Sequence, residues 1–207
     1  VPVPLFNPMG KVIAGMISFS DVEPKSSFRI AFAGNYPWPV RLFNLKRCFI
    51  LQRFNTQSGK ELILINIHNS AFDKGDLRKI QIETLRQVAL KEYGKGNWVI
   101  IGGDWNMNPP GFDPDKITTG DETFTVETEK IPNDFLPKGW KWIYDEKRPT
   151  NRSVVTSYTK GETPTTIIDF FLLSPNIQCL NVETINFAFS FSDHNPVFLE
   201  ALLSNCH

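Results

Sequence analysis

The chain is short of cysteine, has no net charge and holds no long apolar run, and each shortage removes a class of protein. Its three cysteines, Cys48, Cys179 and Cys206, are widely spaced with no Cys-x-x-Cys pair. That argues against a disulfide framework or a cysteine zinc site. Cys48 and Cys179, set in apolar runs, are expected to be reduced core thiols, which favours a reducing, cytoplasmic setting. Lys+Arg and Asp+Glu both number 22, so no global field draws the chain to nucleic acid or an anionic membrane. A phosphate-bearing substrate stays open, because a bound divalent cation can supply positive charge locally. No segment approaches the ~18 apolar residues of a membrane span, and the opening residues do not read as a signal peptide. There is neither a P-loop nor a Gly-x-Ser-x-Gly elbow. Histidine is scarce as well: His68, His194 and the C-terminal His207, which falls in no motif.

What the chain does have is 41% apolar and 13% aromatic residues over a length of 207. That is enough for one well-buried domain or at most two small ones, read here as a single domain over residues 1–207. It opens on Val1-Pro2-Val3-Pro4-Leu5-Phe6-Asn7-Pro8, which can neither begin a central strand nor continue a helix. The expectation is a loop cut mid-protein, compatible with a targeting segment or membrane anchor upstream. Strands are expected at Val12–Ser18, Arg29–Phe32, Lys46–Phe54, Glu61–His68, Asn97–Gly102, Thr166–Leu173, Val182–Phe189 and Pro196–Leu203. Between the fourth and fifth of these, Asp76–Tyr93 switches to a helical period, with Leu77, Ile80, Leu85, Val88 and Ala89 near one face. Asp76 can cap its start and Gly94 its end. Strand, helix, strand makes a crossover whose two strands run parallel. Parallel strands end on one sheet edge, so His68 and Asp104 should be neighbours where α/β sheets bind ligands. Residues 105–165, rich in turn formers, read as a solvated insertion, with a substrate-selecting role for Trp140 and Trp142 as the alternative.

Four motifs carry chemistry. In Gly102-Gly103-Asp104-Trp105-Asn106, the side chains of Asp104 and Asn106 share a face if the extended conformation persists. They offer a proton acceptor for water and a neutral donor for a phosphate oxygen; a polar turn is the plainer reading. Asp169 interrupts the apolar run Ile167–Leu173, where a carboxylate is costly unless paired. An imidazole is the expected partner and His194 the candidate, with a structural bond to backbone as the alternative. Ser192-Asp193-His194-Asn195-Pro196-Val197 presents a carboxylate and that imidazole on a loop. Asn66-Ile67-His68 closes an apolar run with Asn66 and His68 on one face, where His68 is a phosphate donor or a satisfied edge histidine.

In this order the motifs resemble the endonuclease/exonuclease/phosphatase superfamily over roughly Val12 to Leu203. Asp-Trp-Asn followed by Pro109-Pro110-Gly111-Phe112 looks most like a bacterial, often membrane-associated branch. The resemblance implies a four-layer α/β/β/α sandwich and Mg²⁺- or Mn²⁺-dependent phosphoester hydrolysis by in-line attack of water. Asp104 would orient or deprotonate the water. Asn106 would hold the scissile phosphate, with Asn66 beside it, and His68 and His194 would donate to its oxygens. Asp169 would pair with His194, and Asp193 would bind or orient the metal.

The chain departs from the family at its start. The family's first strand, its helix and a following strand that ends in Gln-Glu have no counterpart, and that Glu is a principal metal ligand. Glu23 and Glu61 lie in the wrong contexts to replace it. The resemblance therefore implies a member lacking about 50–60 N-terminal residues, weak Mg²⁺ binding, and a gap filled by the missing segment or a second copy. Substrate class stays open among nucleic acid, lipid headgroup and sugar phosphate. A non-catalytic binding domain of the same fold is the competing reading.

Overall fold

The helical period of the sequence folds as written. Helix α1 spans Asp76–Tyr93, and in the computed structural model, which describes residues 15–42, 44–71, 76–113, 115, 117 and 129–204, its buried positions are Gln81, Ile82, Leu85, Ala89 and Glu92. The stripe is rotated from the expected one, and Ile80 is 42% exposed. The helix stops where Gly94 N–H donates to Leu90 O and Gly96, at φ +83°, turns the chain out of the last turn.

Among the described residues ten strands accompany it: β1 Ser26–Ala31, β2 Cys48–Asn55, β3 Glu61–His68, β4 Trp98–Asp104, β5 Lys141–Ile143, β6 Asn151–Arg152, β7 Thr165–Thr166, β8 Asp169–Leu173, β9 Ile177–Thr184 and β10 Val197–Leu203. Six form one mixed sheet in the order β1-β2-β3-β4-β8-β5. Only β3 and β4 run parallel within it, joined by α1 as the crossover. Strands β9 and β10 make a two-stranded sheet, and β6 and β7 another.

Alternation along β2, β3 and β4 sends Phe49, Leu51, Ile63, Ile65, Val99 and Ile101 to one face, where they bury against Ile82, Leu85 and Ala89 of α1. The other face carries Trp98, Ile100, Phe171 and Leu173, packed against Ile177, Leu199, Ala201 and Leu203 of the β9–β10 sheet. Helix, sheet and second sheet are thus three of the expected four layers. A second helical layer is not among the described residues.

Several sequence expectations shift. Residues 12–14 of the first expected strand lie outside the described residues and 15–18 form no strand. The strand read at Thr166–Leu173 is broken into β7 and β8 by Ile167 and Ile168, which dive into the core. The strand read at Val182–Phe189 ends at Thr184, because Ala188 and Phe189 adopt left-handed backbone at φ 50° and 52°. Residues 105–165 are not simply a solvated insertion. Met107, Phe112, Ile117 and Ile131 are buried, and Trp142 packs 5.2 Å from Trp105 and 5.8 Å from Phe170. Trp140 sits 5.5 Å from Tyr93. Both tryptophans serve packing. Cys48 and Cys179 are half-buried free thiols, and Cys206 and His207 lie outside the described residues.

Candidate active site

The ends of β3 and β4 and the start of β8 lie side by side at one edge of the main sheet, and each delivers an ionisable side chain there. His68 is the register partner of Asp104 across the parallel β3–β4 pair, and Asp104 is the partner of Asp169 across β4–β8. The backbone closes over this edge: Asn69 N–H donates to Asp104 O and Trp105 N–H to Ile168 O, both at 2.9 Å.

The geometry depends on Gly102 and Gly103. A Cβ on Gly102 would meet the Phe171 ring at 2.5 Å, and one on Gly103, at φ +133°, would sit 2.3 Å from Ile67 O. Only glycine admits this approach of β3 and β4. Immediately beyond, Trp105 is fully buried, stacked on Phe170 at 5.1 Å and donating from Nε1 to Phe170 O. With Trp105 pinned inward, Asp104 and Asn106 are held at the edge.

The extended conformation expected of this triplet does not persist. Asn106 is left-handed at φ 50°, and the two side chains meet through a turn instead. Asn106 N–H donates to Asp104 Oδ1 at 2.8 Å and Asn106 Nδ2 to Asp104 Oδ2 at 2.9 Å. Asn106 Nδ2 also donates to Asn69 O, and Arg78 to Asn106 O. His68 Nε2 lies 3.3 Å from Asp104 Oδ2.

His194 arrives from the loop between β9 and β10, and its Nδ1 lies 2.8 Å from Asp169 Oδ2. The backbone N–H groups of Ile168 and Asp169 both donate to the buried Thr150 hydroxyl, which fixes the carboxylate's start. On the other ring nitrogen, Nε2, the Asn151 side-chain amide stands at 3.0 Å and Asp193 Oδ2 at 4.0 Å. A cleft of about 360 Å³ opens over Asp169, His194, Gly103, Phe171 and Val197. A larger cleft of about 550 Å³, lined by Ser58, Lys60, Tyr93 and Trp98, lies at the opposite end of β3 and β4, away from these acids and imidazoles.

Burial, then the adjacent Asp169 charge, pushes the Asp104 carboxyl up to about 7. Burial opposes charge on His194, but the hydrogen bond and charge of Asp169, helped by Asp104 and Asp193, outweigh it and raise the imidazole to about 9. His68 is lowered to about 4 by burial and by the cations Arg47 and His194. At neutral pH the edge therefore presents an acid poised near its midpoint, a charged imidazole and a neutral one.

Of the residues expected at the site, His68, Asp104, Asn106, Asp169 and His194 are brought together, with Asp193 at the rim, 44% exposed. Asn66 Nδ2 donates to Ile17 O and Ser18 Oγ. Glu61 is paired with Lys25 and Arg53. Sequence reading missed Thr150 and Asn151, which lie in a stretch without periodicity, and Arg47, which falls in no motif. Among the described residues no group of three or more His, Cys, Asp or Glu is arranged to hold a metal ion. Asp169 is committed to His194 and Asp104 to Asn106, which leaves Asp193 a lone oxygen donor; these residues do not by themselves fit a Mg²⁺ ion.

No protein-family model matches the chain, and no curated protein matches it by sequence. Solved structures do match its fold. TDP2 of D. rerio, complexed with a single-strand DNA product, aligns at TM-score 0.58 and 16% identity over 87% of this chain and 68% of that one. An endonuclease/exonuclease/phosphatase family protein of Bacteroides thetaiotaomicron aligns at 0.55 and 16% over 88% and 66%. The human Nocturnin catalytic domain with a bound sulfate anion aligns at 0.51 and 12% over 88% and 60%. The chain thus spans between 60% and 68% of the length of these three structures, and it is built on the endonuclease/exonuclease/phosphatase fold.

Proposed function

We propose that the chain carries the site of a phosphoester hydrolase acting by in-line attack of water on phosphorus. The observation that carries this reading is the convergence, at one sheet edge, of the Asp169–His194 pair with an Asp104 carboxyl whose acidity is tuned to neutrality. In its ionised form Asp104 accepts a proton from the attacking water as the new O–P bond forms and the P–O bond to the leaving group breaks, the leaving oxygen departing as its anion and taking a proton from solvent. His194, held in one orientation by Asp169, places positive charge and its Nε2 proton against a non-bridging oxygen in place of Asn151. His68, neutral and 42% exposed, offers a further donor on the Asp104 side. For Asn106 to hold the phosphate, its amide exchanges one of its bonds, to Asp104 or to Asn69 O, for a phosphate oxygen.

Mg²⁺ or Mn²⁺ dependence requires oxygen donors in addition to Asp193, and the proton transfers above use side chains alone. The competing reading, a non-catalytic binding domain, draws on that thin donor set. Hydrolysis of bis-p-nitrophenyl phosphate, measured with EDTA and with added Mg²⁺ or Mn²⁺, separates the two. The hydrolase reading expects turnover in at least one condition, reduced about a hundredfold or more by His194→Ala. Absence of turnover in every condition, or a variant as active as the parent, would sink it.

A further inference from the structure

The loops flanking His194 project large apolar side chains into solvent, and nothing in the chemistry above uses them. Between β9 and β10, Phe191 is 87% exposed and Phe187 48%, their rings 5.9 Å apart. On the neighbouring loop after β6, Val154 is 64% exposed and Val155 89%. The two loops are fastened together beside the site. Arg152 N–H donates to Asp193 O at 3.0 Å, and Tyr158 packs edge-on against Phe189 at 5.0 Å.

The outward aim of these side chains is built in. Phe189 is buried at 5% exposure while its neighbours point away, and the turn that achieves this spends two left-handed non-glycine residues, Ala188 and Phe189. Its backbone is pinned by Ala188 N–H to Asn186 Oδ1, by Phe187 N–H to the buried Asn195 side chain, and by Ser190 Oγ to Phe187 O. The result is a firm support for exposed apolar groups next to a hydrolytic site.

We propose that this rim enters the headgroup layer of a zwitterionic phospholipid surface, and that the site beside it acts on a lipid-borne phosphoester. The inference rests on the hydrolase reading for its chemistry and on the rim for its substrate class. The loop between β9 and β10 contains no Lys or Arg, and the loop after β6, which follows Arg152, holds Lys160 alone, whereas a nucleic-acid track needs a series of basic groups along the backbone. Valine side chains cannot stack on bases but do partition with phenylalanine into the boundary between headgroup and acyl chain. With 22 basic and 22 acidic residues the chain has no attraction specific to anionic lipid, so the match is to a neutral surface.

The test is flotation of the whole chain with phosphatidylcholine vesicles, alongside the Val155→Ser/Phe191→Ser double variant, whose two sites are exposed enough to leave the fold intact. The parent is expected to float, with the bound fraction falling about tenfold in the variant. Turnover of soluble bis-p-nitrophenyl phosphate should stay within about twofold of the parent, while phosphate-ester cleavage in vesicles falls with binding. Failure of the parent to float, or equal flotation of the variant, would overturn the proposal. So would a variant that instead loses oligothymidylate binding or dissociates a dimer. Flotation without soluble turnover would leave the docking standing and remove the hydrolase reading; turnover without flotation would do the reverse.

Discussion

At the scale of residues, Asp104 is the side chain whose environment departs furthest from its ordinary state. Its register neighbour Asp169 is a second carboxylate, and burial and that charge lift it from 3.8 to about 7. A base must be ionised to act, so the acid limb of the pH–rate profile should lie near 7 and not near 4. The same shift has a stability consequence. An acid raised on folding contributes fully below pH 3.8 and loses that contribution as pH rises through about 7. Asp104→Asn should therefore abolish at least about 99% of turnover while the melting temperature at pH 8 holds or rises. Thermal melts of parent and variant at pH 5 and pH 8 check this; a variant that melts lower at pH 8 than the parent would show that the carboxylate is stabilised there.

The partnership of Asp169 with His194 was legible in the sequence because an unpaired acid among Ile168, Phe170 and Phe171 demands a partner. Asn151 and Thr150 were not legible. Their part comes from where the chain crosses the end of β8, which no local pattern encodes. Asn106 was read correctly as a neighbour of Asp104 but through the wrong backbone: a left-handed residue, and not a continuing strand, brings the two side chains together.

At the scale of elements, the close approach of β3 and β4 rests on Gly103. Gly103→Ala places a methyl 2.3 Å from Ile67 O at a φ that only glycine adopts readily, so it should cost about 2–4 kcal/mol by urea unfolding. Glycine's reach is the physical reason the two glycines could be seen in the sequence but their role could not: it depends on Ile67 and Phe171, which are remote in sequence. A second junction ties β2, β3 and α1. Arg53 on β2 pairs with Glu61 on β3 and with Glu92 in the last turn of α1, at 2.8 and 2.7 Å. Burial opposes the Glu92 charge, but Arg53 and Lys95 hold the carboxyl at about 2. A depressed acid contributes stability above its ordinary 4.5 and loses it as pH falls through about 2. Glu92→Gln should cost about 2 kcal/mol at pH 7, with the gap from the parent closing toward pH 2. A gap that is constant with pH would locate the loss in packing.

For the whole molecule, the crossover β3-α1-β4 does most of the functional positioning. Its bounds were legible because Glu61–His68 is an apolar run closed by a histidine and Asp76–Tyr93 keeps a helical period, and the parallel pairing of His68 with Asp104 follows from topology alone. The second sheet was legible only in part. β9 ends five residues before the sequence pattern does, since Ile185, Phe187 and Phe189 alternate like a strand yet belong to the loop that carries His194. There Phe189 is buried while Ile185 and Phe187 are exposed, and periodicity does not tell a loop from a strand. No helix among the described residues is long and apolar enough to cross a membrane.

The central claim is that Asp169, His194 and Asp104 act as one hydrolytic unit. The most direct test is a double-mutant cycle on kcat/KM for bis-p-nitrophenyl phosphate with Asp169→Asn and His194→Gln. Each single variant should lose about a hundredfold or more, with the double variant scarcely worse than His194→Gln, because Asp169 acts through the imidazole. Losses that multiply, or single variants within about threefold of the parent, would contradict the account.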